Sequence, residues 1–147
     1  MLKVLITGCS KGIGHMTAQE FAKRGYEVIA TARDSKTLEG LNVARRLALD
    51  VTDDSSVAAA KEAVGDIDVL INNAGIIAVG PVEAVPIGEA KHLYETNVFG
   101  TLRMVQAFVP SMRKRGHGTV VNLSSIVEGS QCRSPESMPQ RNGRSKL

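Results

Sequence analysis

Tryptophan is missing from this chain, and phenylalanine and tyrosine together supply only 3% of its 147 residues. So thin an aromatic supply leaves little to stack on nucleic-acid bases. The net charge of +3 argues the same way once it is located. Residues 128–147 carry Arg133, Arg141, Arg144 and Lys146 against Glu128 and Glu136, a surplus of +2, which leaves +1 for everything before them. No nucleic-acid partner is expected. Cysteine is scarce as well: Cys9 and Cys132 have no paired spacing, which points to a reduced, cytoplasmic setting rather than a disulfide framework. No apolar run approaches the ~20 residues of a membrane span, so no membrane association is expected. Met1 leads straight into an apolar segment, without the regions of a signal peptide. His15, His92 and His117 lack metal-ligand spacing, and no metal site is expected.

What is present is a pattern. Leu2 to Ile6 is an apolar run of strand length, and it ends in a loop with glycines at positions 8, 12 and 14. His15 to Arg24 follows without glycine or proline and reads as a helix. Glycines in such a loop reach backbone angles closed to other residues and let a ligand approach the main chain. The helix then aims unpaired N–H groups and the positive end of its dipole at that ligand, an arrangement suited to phosphate. The spacing, GxxxGxG, differs from the common GxGxxG fingerprint, and glycines alone are weak evidence.

The rest of the chain alternates. Tyr26–Ala32 reads as a second strand, with a short helical piece near Ser35 to Gly40. A third strand fits Ala44 to Leu49, and Thr52-Asp53-Asp54 opens a helix that runs through Val64. Asp68–Asn72 is a fourth strand, continuous enough in apolar residues to be covered on both faces. Ile87 to Arg115 is a long helical stretch, and Thr119–Ser124 a fifth strand. Alternation of this kind predicts an α/β fold with a doubly wound parallel sheet. Ligands of such sheets sit at the carboxyl ends of the strands, where Gly8, Arg33, Asp50, Asn73 and Ser125 all fall.

These residues resemble the short-chain dehydrogenase/reductase family. The matching motifs are Thr7-Gly8-xxx-Gly12-Ile13-Gly14, Asp50-Val51, Asn72-Asn73-Ala74-Gly75, Thr96-Asn97-Val98-Phe99-Gly100 and Asn122-Leu123-Ser124-Ser125, in order over residues 2–127. The resemblance implies a Rossmann-like domain over residues 1–127 and an oxidoreductase that interconverts alcohols and carbonyl compounds. It assigns Gly8, Ser10, Gly12, Ile13 and Gly14 to the pyrophosphate of a nicotinamide coenzyme, and Asp50 and Val51 to its adenine. Asn73, Ala74 and Gly75 go to the adenosine ribose. Asn97 would help hold a water of the proton relay, and Ser125 would polarise the substrate oxygen. Simpler readings stand beside these. Asp50 can be a helix-start carboxylate, Asn72 a tie between loops, and Cys9 a small packing residue.

Coenzyme choice follows from charge. An acid at the end of the second strand reads the ribose 2′-OH of NAD. Here Ala32 stands in that place, followed by Arg33, whose planar fork suits a phosphate. Lys11 adds a second cation. NADP is therefore expected, with NAD as the alternative, Asp34 opposing the preference, and two ordinary surface cations as the plain reading.

The family's chemistry also needs a tyrosine, with a lysine four residues later to lower its pKa. Tyr26 and Tyr94 both precede Ser125, and no such pair follows it. Residues 128–147 instead read as an irregular tail. Joining the last base of each codon to the first two of the next, the Ser137/Met138 junction can encode tyrosine and the Arg141/Asn142 junction lysine. A frame change near Val127 would place that tyrosine thirteen residues after Ser125, so a one-base deletion is expected in the coding sequence. The expectations that go with it are a sheet that stops at the fifth strand, marginal stability, impaired turnover, and a C-terminal Ser145-Lys146-Leu147 that matches a peroxisomal address by accident. Self-association is expected, if at all, through the helix from Ile87 to Arg115. The competing functional classes are a non-catalytic dinucleotide-binding module and a fragment without function.

Overall fold

The computed structural model describes residues 1–124; Ser125 and the tail 128–147 lie outside the described residues. Five strands, β1 (Lys3–Ile6), β2 (Glu27–Ala32), β3 (Arg45–Ala48), β4 (Val69–Asn72) and β5 (Thr119–Asn122), form one parallel sheet in the order β3-β2-β1-β4-β5. The chain starts at the centre, steps outward twice, then returns to the other side of β1. The order therefore reverses between β1 and β4, and a crevice opens there beyond the strand ends.

Side chains of a strand alternate between faces, and the register turns that alternation into two cores. Leu5 lies between Ile29 and Leu70, and these three pack with Val57 and Val64 of α2 (Asp54–Val64) and with Met104, Phe108 and Met112 of α4 (Thr101–Arg115). Val4, Ile6, Val28, Ala30 and Ile71 point the other way, onto Ala18 and the flanking Phe21 and Ala22 of α1 (Gly12–Lys23). Val4, Leu5 and Ile6 are wholly buried, each contributing roughly 1.5–3 kcal/mol of transfer free energy.

Two helices differ from the sequence expectation. α1 begins at Gly12, not His15, so Gly12 and Gly14 belong to its first turn. Glycine is a poor helix former, but contacts with the neighbouring loop override its propensity here. The helical stretch from Ile87 to Arg115 is present but not uniform: α3 (Ile87–Tyr94) passes into a π-helical turn, Glu95–Gly100, before α4. Arg103 fastens this element to α2 by pairing with Asp54 and Glu95, which raise its already high pKa. β5 ends at Asn122, two residues short of expectation, and Thr119 to Asn122 are all exposed.

Candidate functional site

The loops after β1 and β4 are laced together by two residues. Thr7 is buried, and its Oγ1 accepts from the N–H groups of Asn73 (3.0 Å) and Ala74 (2.9 Å). The Asn73 Nδ2 donates back to the carbonyls of Thr7 (2.8 Å) and Gly8 (2.9 Å). Such close approach leaves no room for side chains. A Cβ on Gly8 would sit 2.8 Å from the Ala74 Cα, and one on Gly14 would collide with the Asn73 amide and the Gly8 carbonyl. Gly12 differs: its φ is +63°, and nothing lies within 4 Å of where a Cβ would be. Gly8 and Gly14 thus serve loop-to-loop packing, while Gly12 keeps a strained turn open to the outside.

α1 starts at this turn. Its N-cap, Lys11, is extended and gives no side-chain cap, and no acid occupies the first turn. The first N–H groups and the dipole remain available to an anion. In front of them lies a cavity of about 650 Å³. Gly8, Ser10, Lys11, Gly12, Ile13, Arg33, Asp50, Val51, Asn73, Ala74 and Gly75 all line it. Gly14 is buried behind the turn.

The two cations, Lys11 and Arg33, form no ion pair among the described residues and reach the cavity from separate loops. Asp34, next to Arg33 in sequence, is otherwise engaged. Its carboxylate caps the short 3-10 turn Ser35–Leu38 by accepting from the Lys36 N–H at 2.9 Å.

Asp50 does not cap α2. That task falls to Asp53, which accepts from the Ser55 N–H and hydroxyl and is held below the usual carboxylate range chiefly by that hydroxyl. One Asp50 oxygen accepts from the N–H (2.9 Å) and hydroxyl (2.7 Å) of Thr52, and no described residue donates to the other.

Asn97 is one step removed from the cavity. Its side chain pairs with the backbone of Ile76 in both directions: Oδ1 accepts from the N–H and Nδ2 donates to the carbonyl, each at 2.9 Å. Ile76 lines the cavity, so the π turn positions that wall. Asn72 ties β4 to β5 through the Asn122 Oδ1 at 2.8 Å. Cys9 is buried without a disulfide partner, and burial pushes its thiol up to about 11.

Sequence reasoning missed His92, Thr96, Ile76 and Ile77, which also line the cavity. For His92 and Thr96 a helical spacing of four was the one available signal. Among the described residues no cluster of His, Cys, Asp and Glu could hold a metal, and no helix is long and apolar enough to cross a membrane.

Comparison with known proteins agrees with this geometry. Residues 2–134 match the family model described as short chain dehydrogenase. Human 17-beta-hydroxysteroid dehydrogenase type 1 is 45% identical over 139 residues, covering 84% of this chain and 42% of that protein. Human retinol dehydrogenase 8 is 40% identical over 137 residues, covering 84% and 44%. The chain thus spans less than half the length of either relative. Among solved structures, a short-chain dehydrogenase from Streptomyces avermitilis superposes with a TM-score of 0.81 at 39% identity, covering 85% of this chain and 50% of the other. The closed form of a serine dehydrogenase complexed with NADP+ gives 0.79 at 28% identity, covering 86% and 55%.

Proposed function

The chain belongs to the short-chain dehydrogenase family, and from that premise we propose an NADP-preferring oxidoreductase that interconverts a small-molecule alcohol and a carbonyl compound. The observation that carries the coenzyme reading is the pair of cations Arg33 and Lys11 on the cavity wall, with Asp34 drawn away into its own turn. A carboxylate there would repel a 2′-phosphate. A free guanidinium attracts one, and Ala32 leaves it room.

When bound, the nicotinamide accepts or donates the hydride. The chain's own residues do the rest. Gly12 and Ile13, at the open turn, offer N–H groups to the diphosphate, and the uncapped α1 adds its dipole. Asp50 would hold the adenine amine through the oxygen that Thr52 does not use, and Val51 would flank the ring. Asn73, Ala74 and Gly75 line the adenosine-ribose wall. Asn97 is fixed by Ile76, and its remaining hydrogen-bonding capacity is what a relay water would use. Ser125 polarises the substrate oxygen in this reading.

No tyrosine follows Tyr94 in these 147 residues, and without a lysine-assisted phenol the proton has no efficient acceptor at neutral pH. The chain is therefore proposed to bind coenzyme and turn over little. Two further parts of the reading are a cytoplasmic setting, in keeping with the free Cys9 thiol, and self-association through the α3–α4 surface. On that surface Tyr94, Val98, Phe99 and Leu102 are each about half exposed or more.

Calorimetric titration with NADPH and NADH, followed by a reduction assay over a panel of ketones, tests the proposal. NADPH should bind at least about tenfold tighter than NADH, the gain of charged hydrogen bonds to the extra phosphate, with no turnover above background. Equal affinities overturn the coenzyme preference, and robust turnover overturns the impairment.

A further inference from the structure

His92 has no part in the readings above, yet it lines the same cavity from α3. It lies four residues before Thr96, one helical turn, so both side chains share the face that lines the cavity. The segment after β3 lines the same space with Leu49, Asp50, Val51 and Thr52.

The two walls are locked to each other. Val51 is buried and packs so closely on the π turn that a Cβ on Gly100 would lie 2.7 Å from its Cγ2. Arg103, just beyond that turn, pairs with Asp54 at the start of α2 and with Glu95. His92 lies on α3, which runs directly into this anchored turn. Its imidazole is the one aromatic ring among the lining residues, and it has no hydrogen-bond or ionic partner among the described residues.

The chemistry of this end is complementary to one kind of group. Leu49 and Val51 provide apolar walls, the free Asp50 oxygen can only accept, and an imidazole N–H donates. Adenine presents an amine donor next to an acceptor, N1, on one edge. We propose that His92 reads the coenzyme's base, donating to adenine N1 while the neighbouring amine donates to Asp50. The inference rests on the coenzyme reading above and adds to it a residue that selects adenine over a 6-oxopurine. Hypoxanthine fits less well: its oxygen would meet the Asp50 carboxylate, and its N1–H could be met only if the imidazole turned its other, unprotonated nitrogen to the base.

The test compares NADPH with its hypoxanthine analogue by titration of the wild-type chain, His92→Ala and His92→Gln. Wild type should prefer the adenine form. His92→Ala should bind NADPH about three- to tenfold more weakly, the worth of one hydrogen bond, and its preference over the hypoxanthine form should shrink by a similar factor. His92→Gln keeps an N–H donor and should recover most of both. His92 is exposed, so melting curves of the variants should match wild type. An unchanged adenine preference in His92→Ala overturns the inference, as does an equal weakening of both ligands. Wild type binding neither ligand would overturn the coenzyme reading itself, a result distinguishable from failure at His92 alone.

Discussion

The centre of the sheet and its β5 edge are unlike. At β1 and β4 the strands are buried on both faces, and Val4, Leu5, Ile6 and Leu70 have no exposed surface at all. One strand further out, Val120 and Val121 of β5 are 37% and 40% exposed, although the same parallel ladder holds them to β4. β1 and β4 are paired on both edges and β5 on one, and burial falls in the same direction. The lesson is that the ladder sets the position of a strand, while its share of stability comes from what covers its faces. The glycine turn, the α1 terminus and the cations all hang from the covered side. The turn proposed to hold the coenzyme is thus anchored at the most deeply buried strands.

Substitutions can break or sharpen that contrast. The largest effect should come from truncating apolar positions at the centre and at the edge. Leu5→Ala is expected to cost about 2–5 kcal/mol in urea unfolding, and Val121→Ala no more than about 0.5 kcal/mol. Equal costs would erase the distinction. Next comes Arg33→Ala, which should weaken NADPH about tenfold in calorimetry while leaving NADH unchanged; parallel losses would place the guanidinium outside the phosphate site.

Gly14→Ala should strain the lacing between Gly8 and Asn73, at about 1–3 kcal/mol in thermal melts. A variant with wild-type stability would mean that the loops are not packed as described. The smallest effect concerns Cys9. Its thiol keeps its proton up to about pH 11 in the folded chain, whereas the unfolded thiol loses it near 9.0. The folded state therefore holds the extra proton between those values, so stability is intact below pH 9 and falls as pH rises toward 11. Cys9→Ala should lose less stability than wild type between pH 8 and pH 10, measured as the shift in urea midpoint. Parallel shifts would contradict the burial of the thiol.

Much of this architecture was legible in the residues themselves. The apolar runs of β1, β2 and β4 have no other stable use than buried strands, and the glycines at 8, 12 and 14 mark a turn against the main chain. The polar start at Asp53 marks α2 for the same local reason. What was not legible depends on residues far apart in sequence. α1 begins at Gly12, and its Gly14 lies against Asn73, a contact that no local propensity encodes. The Asn97 amide goes to Ile76, 21 residues earlier, and the π turn that allows it has no sequence period of its own. Asp50 gave two readings from sequence, and only the contacts of Asp53 separate them. For His92 the four-residue spacing to Thr96 was too little to mark a ligand site, because its place on the cavity wall is set by how α3 continues into the π turn.

The central claim is that the turn from Gly8 to Gly14, backed by the Thr7–Asn73 lacing, holds the diphosphate of a nicotinamide coenzyme. A crystal structure of the chain grown with NADPH tests it most directly. Diphosphate density is expected against the N–H groups at Gly12 and Ile13, with the 2′-phosphate within reach of Arg33 and Lys11. Coenzyme density anywhere else on the molecule would contradict it.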